Sequence, residues 1–435
     1  MAPRLCLLGF DCLAPKLVFE RFRPHLPNFD RIISAGKANS LQSVAPPITI
    51  PAWPCMVTGR SPDELDIYGF NKRLDDRANF VLHNSLDISA PTIWEILSQK
   101  DKTSCILGVP LTYPAKPFKG TMLTGCLTPE NHSGFATYPR ELAATTESEF
   151  GSIQFDIPAF RYLGQEELKR SLFTRLRQHQ RISLAWLKRH PWDFFMSVDI
   201  GTDRLHHIFW NELQEKDDSE NTILQYYQLL DEFLGKIIEN LKPDDNLLVI
   251  SDHGAQKMKG SFSLNQWLYD AGYLVLRNPL ASDGLTHLGS DDIDWEKTQA
   301  WGKGGYVGRI YFNPSTATET ENSALFKKIA SELQKTFKEL GIENSRIYSD
   351  QELYTHSTNA PDITLYVGDL SYRCSEKIMA RAKLTSAVND RGFDSANHHP
   401  DGICIGYGKK LESKMNTFGW KLQETHELIK EVILN

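Results

Sequence analysis

The chain predicts an α/β fold: a doubly wound, mostly parallel sheet with helices on both faces and inserted cap segments. Three observations carry this expectation. Short apolar runs alternate with segments of helical period, the pattern of a sheet covered on both sides. Acidic and imidazole side chains stand directly behind several of those runs, where an open α/β sheet keeps its chemistry. The 435 residues, 41% hydrophobic and 24% charged, suffice for a large core, which is expected as a single domain over 1–435.

Taken in order, the first strand is expected at 4–10, where Leu5-Cys6-Leu7-Leu8-Gly9-Phe10 is apolar throughout. Further strands are expected at 103–109, 193–199, 245–251, 363–367 and 402–406, with those near 5, 195, 248 and 404 forming the core of the sheet. Helices are expected over 91–100, 166–189, 219–241, 322–340 and 420–433, each with apolar residues at three- and four-residue spacing. Two stretches read as insertions at strand ends. Segment 111–165 is rich in Pro, Gly, Thr and Phe with little helical period and reads as a cap, while 256–395 carries its own strand and helix signals and reads as a substrate wall.

Composition excludes several classes. The net charge of −7 and the lack of a basic stripe interleaved with aromatics give no footing for nucleic-acid binding. No stretch approaches the roughly 18 apolar residues of a membrane span. The apolar run at the N-terminus is too short for a signal-peptide core and has no small-residue cleavage site. Seven cysteines, at 6, 12, 55, 105, 126, 374 and 404, form no CxxC pair and predict buried thiols in a reducing cytoplasm.

The chemistry-bearing residues sit at strand ends. Ser251-Asp252-His253-Gly254 follows the run Asn246–Ile250, placing a carboxylate and an imidazole where a buried strand leaves the sheet; taken alone, both are also good turn residues. Asp11 follows the first strand in the same way. Asp203 and His207 stand four apart after the strand near 195, so on a helical turn they share a face, whereas His206 points about 100° away and reads as structural. Of the adjacent His398 and His399, before the last core strand, one can close the set. Thr49, among Pro46, Pro47, Pro51 and Pro54, suits a loop entering a helix, where first-turn N–H groups favour an anion. Its hydroxyl becomes a useful nucleophile for phosphoryl transfer only beside a divalent cation.

In this order, Asp11, Thr49-Ile50-Pro51-Ala52-Trp53, Asp203-x-x-x-His207, Asp252-His253-Gly254 and His398-x-x-Asp401-Gly402 resemble the alkaline phosphatase superfamily, in its type I phosphodiesterase/nucleotide pyrophosphatase branch. The resemblance runs from residue 4 to about 410 and takes in Asp294–Thr298 and Gly304-Gly305-Tyr306. It implies an alkaline-phosphatase-like fold and two divalent metal ions. One would be held by Asp203, His207 and His398; the other by Asp11, Asp252 and His253, with Thr49 as its nucleophilic ligand. The family spacing selects His398, three positions before Asp401, over His399. Ligation by N and O fits Zn2+, with Mn2+ and Mg2+ as the other candidates. The implied partner is a small-molecule phosphate ester, cleaved through a phospho-threonine intermediate.

The chain also departs from the branch. Relatives often carry a His-Gly pair after the Thr-Gly at 58–59, and here Pro62-Asp63-Glu64 follows instead. Nucleotide pyrophosphatases hold a non-bridging phosphate oxygen with an Asn near this point, and Asn71, one residue out of register, is the substrate-binding candidate. Arg60, Lys303 and Arg309 are further candidates for phosphate. Sulfatases need Cys or Ser in Cys/Ser-x-Pro-x-Arg, which Cys55-Met56-Val57-Thr58 does not supply, and phosphoglycerate mutases of this superfamily place Ser where Thr49 stands. A phosphomonoesterase shares the same metal ligands and stays open, as does a catalytically silent metal-binding protein.

Overall fold

A computed structural model of the chain describes residues 4–75, 77–131, 134–280, 284–285, 288–313, 319–356, 359–379, 383–389 and 391–435. The chain forms two compact units: 1–69, 83–255 and 398–435 make the first, and 70–82 with 256–397 make the second. The fold class is the one the apolar runs predict, mixed α/β around a mostly parallel central sheet.

The first unit is built on eight strands: β1 (Leu5–Phe10), β2 (Lys37–Gln42), β3 (Ser104–Gly108), β4 (Gly120–Gly125), β5 (Thr137–Tyr138), β6 (Phe194–Asp199), β7 (Asn246–Ile250) and β8 (Asp401–Tyr407). Their order across the sheet is β2-β8-β7-β1-β6-β3-β4-β5. The five strands β7, β1, β6, β3 and β4 run parallel. β8 is antiparallel to β7, and β2 is antiparallel to β8, so β2 again points the same way as the parallel set. Every residue of β1, β6 and β7 is buried, because helices cover both faces.

Those helices are α1 (Pro27–Ala35), α2 (Thr49–Thr58), α3 (Ile93–Gln99), α4 (Gln165–Arg189), α5 (Gly201–Phe209), α6 (Thr222–Asn240) and α7 (Thr425–Leu434). Cys6, Leu8 and Phe10 of β1 face a core that includes Phe29, Ile32, Leu172 and Phe233, from α1, α4 and α6. α7 packs on β1 together with α2 and α3. Asp231 on α6 joins two of these elements: its Oδ1 accepts the N–H groups of Asn28 and Phe29, 2.9 and 2.8 Å away, at the start of α1. A carboxylate there satisfies orphan donors and suits the positive end of the helix. No helix among the described residues is long and apolar enough to cross a membrane.

Segment 111–165, read from sequence as a cap, supplies β4 and β5 to the central sheet. β4, Gly-Thr-Met-Leu-Thr-Gly, lacks the continuous apolar run of the inner strands because it lies near the sheet edge.

The second unit holds a four-stranded antiparallel sheet in the order Ala300–Lys303, Gly308–Phe312, Ile363–Tyr366, Arg346–Ser349. Trp301, Ile310, Ile363 and Leu365 share a core with Ile329, Leu333 and Phe337 of the helix Glu319–Glu339. The hairpin Asn71–Arg73 and Phe80–Leu82 belongs to this unit, with Phe80 packed edge-on to Trp301. It lies 174 residues before the rest, counting Leu82 to Gln256, and the sequence analysis, which bounds the second insertion at 256–395, does not include it.

Two stability predictions follow from these contacts. Asp231→Ala removes the acceptor for both α1 donors and should cost about 2–3 kcal/mol, read as a lower urea midpoint with unchanged slope; an unchanged midpoint would discount the cap. In the second unit, burial pushes the Asp362 carboxyl up to about 6, although its Oδ2 accepts the Phe312 N–H at 2.7 Å. A raised folded value means stability is fullest below the unfolded value and is lost as pH rises through about 6. Asp362→Asn should therefore raise the melting temperature of this unit at pH 7.5 and leave it near wild type at pH 4; equal shifts at both pH values would refute this.

Candidate metal centre

Strand direction gathers the candidate residues on one edge. Asp11, Gly201 and Ser251 follow the carboxyl ends of β1, β6 and β7, and Thr49 comes after the carboxyl end of β2. Because β8 is antiparallel, the residues that precede it lie on this same edge, and His398 is among them. Such an edge is where α/β sheets bind ligands.

Local structure then aims each side chain. Asp11 N–H donates to Asp199 O at 2.9 Å, fixing the turn after β1 to the end of β6. Trp53 Nε1 donates to Asp11 Oδ2 at 2.7 Å, and Gly9 makes room for that indole: a Cβ on Gly9 would stand 2.4 Å from Trp53 Cη2. Ile50, with φ −110° and ψ 104°, breaks helical geometry within α2, so Thr49 precedes the regular turns. Thr49 Oγ1 donates to Asp11 Oδ1 at 3.2 Å and lies 3.5 Å from His253 Nε2. Asp203 and His207 share a face of α5, with His207 Nε2 3.3 Å from Asp203 Oδ1. His206 points elsewhere, its Nε2 3.0 Å from the Tyr227 hydroxyl.

After β7, Ser251 Oγ accepts the Leu13 N–H at 2.7 Å and donates to His253 O at 2.6 Å, so this side chain ties two strand-end turns together. The sequence motif gives no sign of this role for the Ser251 side chain. Gly254 is required by close approach, since a Cβ there would lie 2.2 Å from Asp401 O. His398 Nδ1 meets Pro47 O at 2.8 Å, which leaves Nε2 facing Asp203 Oδ1 at 3.2 Å. His399 instead accepts the Asp401 N–H at Nδ1, 3.1 Å away.

Asp11, Thr49, Asp203, His207, Asp252, His253 and His398 are thus brought together, each no more than 1% exposed. Among the described residues, Asp203, His207 and His398 form one group with donor atoms within 4.8 Å of one another, and Asp11, Asp203 and His253 form another. Asp252 adjoins the second, with its Oδ2 3.3 Å from His253 Nε2. Asn71, the substrate-binding candidate, opens the strand Asn71–Arg73 of the second unit, paired with Leu82. Of the basic candidates, Arg60 pairs with Glu64 at 3.0 Å, Lys303 with Glu376 at 3.2 Å, and Arg309 Nη2 donates to Gly304 O at 3.3 Å.

Sequence reading missed Arg204 and Asp156. Arg204 Nη1 donates to Asp203 Oδ2, while its Nη2 donates to Asp156 Oδ2 at 2.7 Å. The residues adjoin in sequence as Asp203-Arg204, but nothing in that pair signals the bridge to 156, which depends on the tertiary fold.

The electrostatics suit cations. Burial, with Asp252 and Asp203 close by, holds the Asp11 carboxyl well above its usual range. Burial also raises Asp252, with Asp203 adding to the effect. Asp203 goes the other way: burial would raise it, but His207 and Arg204 hold it well below. Burial lowers His253 and His398, favouring the neutral imidazole that offers a lone pair. Asp252 Oδ2 is buried and accepts no hydrogen bond among the described residues. Carboxylates this close, relieved by one shared guanidinium, fit divalent ions.

Residues 5–397 match the family model described as type I phosphodiesterase/nucleotide pyrophosphatase. Among solved structures, phosphonoacetate hydrolase from Sinorhizobium meliloti 1021, in complex with phosphonoformate, superposes with a TM-score of 0.61 at 12% identity, covering 99% of this chain and 96% of that one. Murine ectonucleotide pyrophosphatase/phosphodiesterase 5, an inactive variant in complex with AMP, gives 0.55 at 13% identity, covering 99% and 95%. The human form of the latter gives 0.57 at 12%, covering 99% and 94%. No curated protein sequence matches the chain.

Trp53→Phe would keep a ring over Gly9 and remove the N–H that orients Asp11. Zinc affinity, read by competition with a chelating dye, should fall about 10- to 100-fold with the fold intact. An unchanged affinity would show that Asp11 needs no such partner.

Proposed function

The chain belongs to the type I phosphodiesterase/nucleotide pyrophosphatase family, and on that premise we propose that this phosphohydrolase cleaves phosphodiester or nucleotide-pyrophosphate-type bonds through a phospho-threonine intermediate at Thr49. The observation that carries the reading is the position of Thr49 Oγ1, 3.2 Å from Asp11 Oδ1 and 3.5 Å from His253 Nε2, beside two groups of buried ligands.

Two divalent ions fit the donor set. Asp203, His207 and His398 would hold one, and Asp11, Asp252 and His253, with Thr49, the other. When bound, such ions supply charge for a phosphate ester and lower the pKa of a hydroxyl ligand. Zinc suits this donor set.

The rest is the work of the chain's own side chains. Asp11 Oδ1 is the acceptor in line with the Thr49 hydroxyl hydrogen. The Thr49 proton passes to Asp11 Oδ1 and on to solvent, and attack by Oγ1 on phosphorus forms the Thr49–phosphate ester and breaks the bond to the leaving oxygen, which takes a proton from solvent to leave as an alcohol or leaves directly as a phosphate. Water then attacks the same phosphorus, the bond to Oγ1 breaks, and Thr49 recovers its hydrogen. Arg204, shared between Asp203 and Asp156, holds Asp203 ionised and in place.

AMP and phosphonoacetate are bound by structural neighbours, which supports a small phosphate-type substrate here. Asp156 also borders a cleft of about 450 Å3 lined by Thr128, Ser152, Gln154 and Phe155, and this cleft is our candidate for the site of the ester's second substituent. Seven buried, unbridged cysteines support a cytoplasmic setting.

Thr49→Ala should lower hydrolysis of bis-p-nitrophenyl phosphate by at least about a thousand-fold; wild-type turnover would remove Thr49 as nucleophile. Bis-p-nitrophenyl phosphate, p-nitrophenyl phosphate and a nucleotide pyrophosphate should be compared on one preparation carrying close to two ions per chain. The diester or pyrophosphate is expected to dominate. Dominance of the monoester would make the protein a phosphomonoesterase, and no turnover would make it a silent metal-binding protein.

A further inference from the structure

Cys12 follows Asp11 at the end of β1, and its side chain is 1% exposed. Its sulfur and one ring nitrogen each from His253 and His398 lie within 4.8 Å of one another. This set shares His398 with the group of Asp203 and His207, and His253 with the group of Asp11 and Asp203. The thiol therefore borders a histidine of each candidate group.

Its other contacts point the same way. The Cys12 backbone N–H donates to Asp252 Oδ1 at 3.2 Å, and the thiol donates to Gly254 O at 3.3 Å. Independently, Asp252 Oδ2, the oxygen that the Cys12 backbone leaves uncovered, is fully buried and accepts no hydrogen bond among the described residues. That oxygen lies 3.3 Å from Nε2 of His253, a member of the sulfur's own group, and a buried carboxylate oxygen in that state suits a cation there.

We propose that Cys12 is a sulfur ligand of the ions this pocket holds, making the centre a mixed N/O/S site. The inference rests on the reading of the pocket as a divalent-ion centre. On coordination the S–H bond breaks, its electron pair goes to the ion and its proton to solvent, and the bond to Gly254 O is given up. A thiolate donor favours Zn2+, Co2+ and Cd2+ and disfavours Mg2+, so the site selects thiophilic ions. The lack of CxxC pairs in the sequence argues against a site built on paired thiolates, and a single sulfur among imidazoles and carboxylates leaves no such spacing.

The test loads the metal-free full chain with Co2+ and counts bound metal by elemental analysis. Wild type should show a near-ultraviolet sulfur-to-cobalt charge-transfer band. Cys126→Ser, a control whose thiol lies beside Asp156 and Arg204, should keep it. Cys12→Ser should lose the band while still binding cobalt, and its preference for Cd2+ over Mg2+ should fall at least about tenfold. Bound cobalt without the band in wild type, or a band that survives Cys12→Ser, overturns the proposal. Should Cys12→Ser fail to fold, X-ray absorption of zinc-loaded wild type decides alone: a sulfur shell at about 2.3 Å supports it, and a shell of N and O only overturns it. A chain that binds no cobalt at all overturns the divalent-ion reading as well, which separates the two failures.

Discussion

Three carboxylates, Asp11, Asp203 and Asp252, are buried together at the carboxyl edge of a parallel sheet, and the rest of the first unit is arranged around that cost. Burying one ionised carboxylate without compensation is expensive, and neighbouring ones raise each other's proton affinity. The scaffold meets this with directed donors: Trp53 on Asp11, the Cys12 backbone on Asp252 and Arg204 on Asp203. Trp53 and the Cys12 backbone orient their carboxylates without adding charge, and among these donors Arg204 alone is a cation. Arg204 is itself divided between Asp203 and Asp156, so a deficit of positive charge is built in. In physical terms, that deficit is the affinity for cations.

The same cost accounts for what could be read from the sequence. The inner strands β1, β6 and β7 are covered on both faces, so they appear as unbroken apolar runs, and the residues just beyond them are conspicuous because they are polar. Asp203 and His207 were legible from helical period alone. β2, Lys-Ala-Asn-Ser-Leu-Gln, was not: it is an edge strand with mostly solvent-facing side chains and resembles a loop in composition. β4 and β5 were hidden for another reason: β4 is mostly buried but has Gly or Thr at four of its six positions, and β5 is two residues long, so neither shows an apolar run and 111–165 read as an insertion.

What stayed illegible in the site depends on tertiary approach. Trp53 could be quoted as part of a motif, but its role needs Gly9 to admit the indole ring to β1. His398 and His399 are equivalent in sequence; only the Pro47 carbonyl and the Asp401 N–H, each reached through folding, send one ring into the pocket and the other onto its own loop. Asn71 is a candidate only through the Asn that nucleotide pyrophosphatases carry near this point, yet its short hairpin belongs with residues 256–397, and no local pattern marks that partnership.

The placement of His253 and His398 also explains how so large an excursion is tolerated. The chain leaves the first unit after Ala255, two residues beyond His253, and re-enters it at His398 itself. The two imidazoles stack at 3.9 Å between centroids, so the stems of the excursion are already side by side in the first unit. Loop-closure entropy grows only logarithmically, about 0.6 kcal/mol for each doubling of length. Once the stems are clamped, the length of what lies between them hardly matters to the first unit's stability. An ion shared by ligands on both stems would strengthen that clamp, since ligands must be drawn together before they can bind it. The residues that define the chemistry therefore also secure the point where the fold can accept new structure, and the intervening segment can vary without disturbing them.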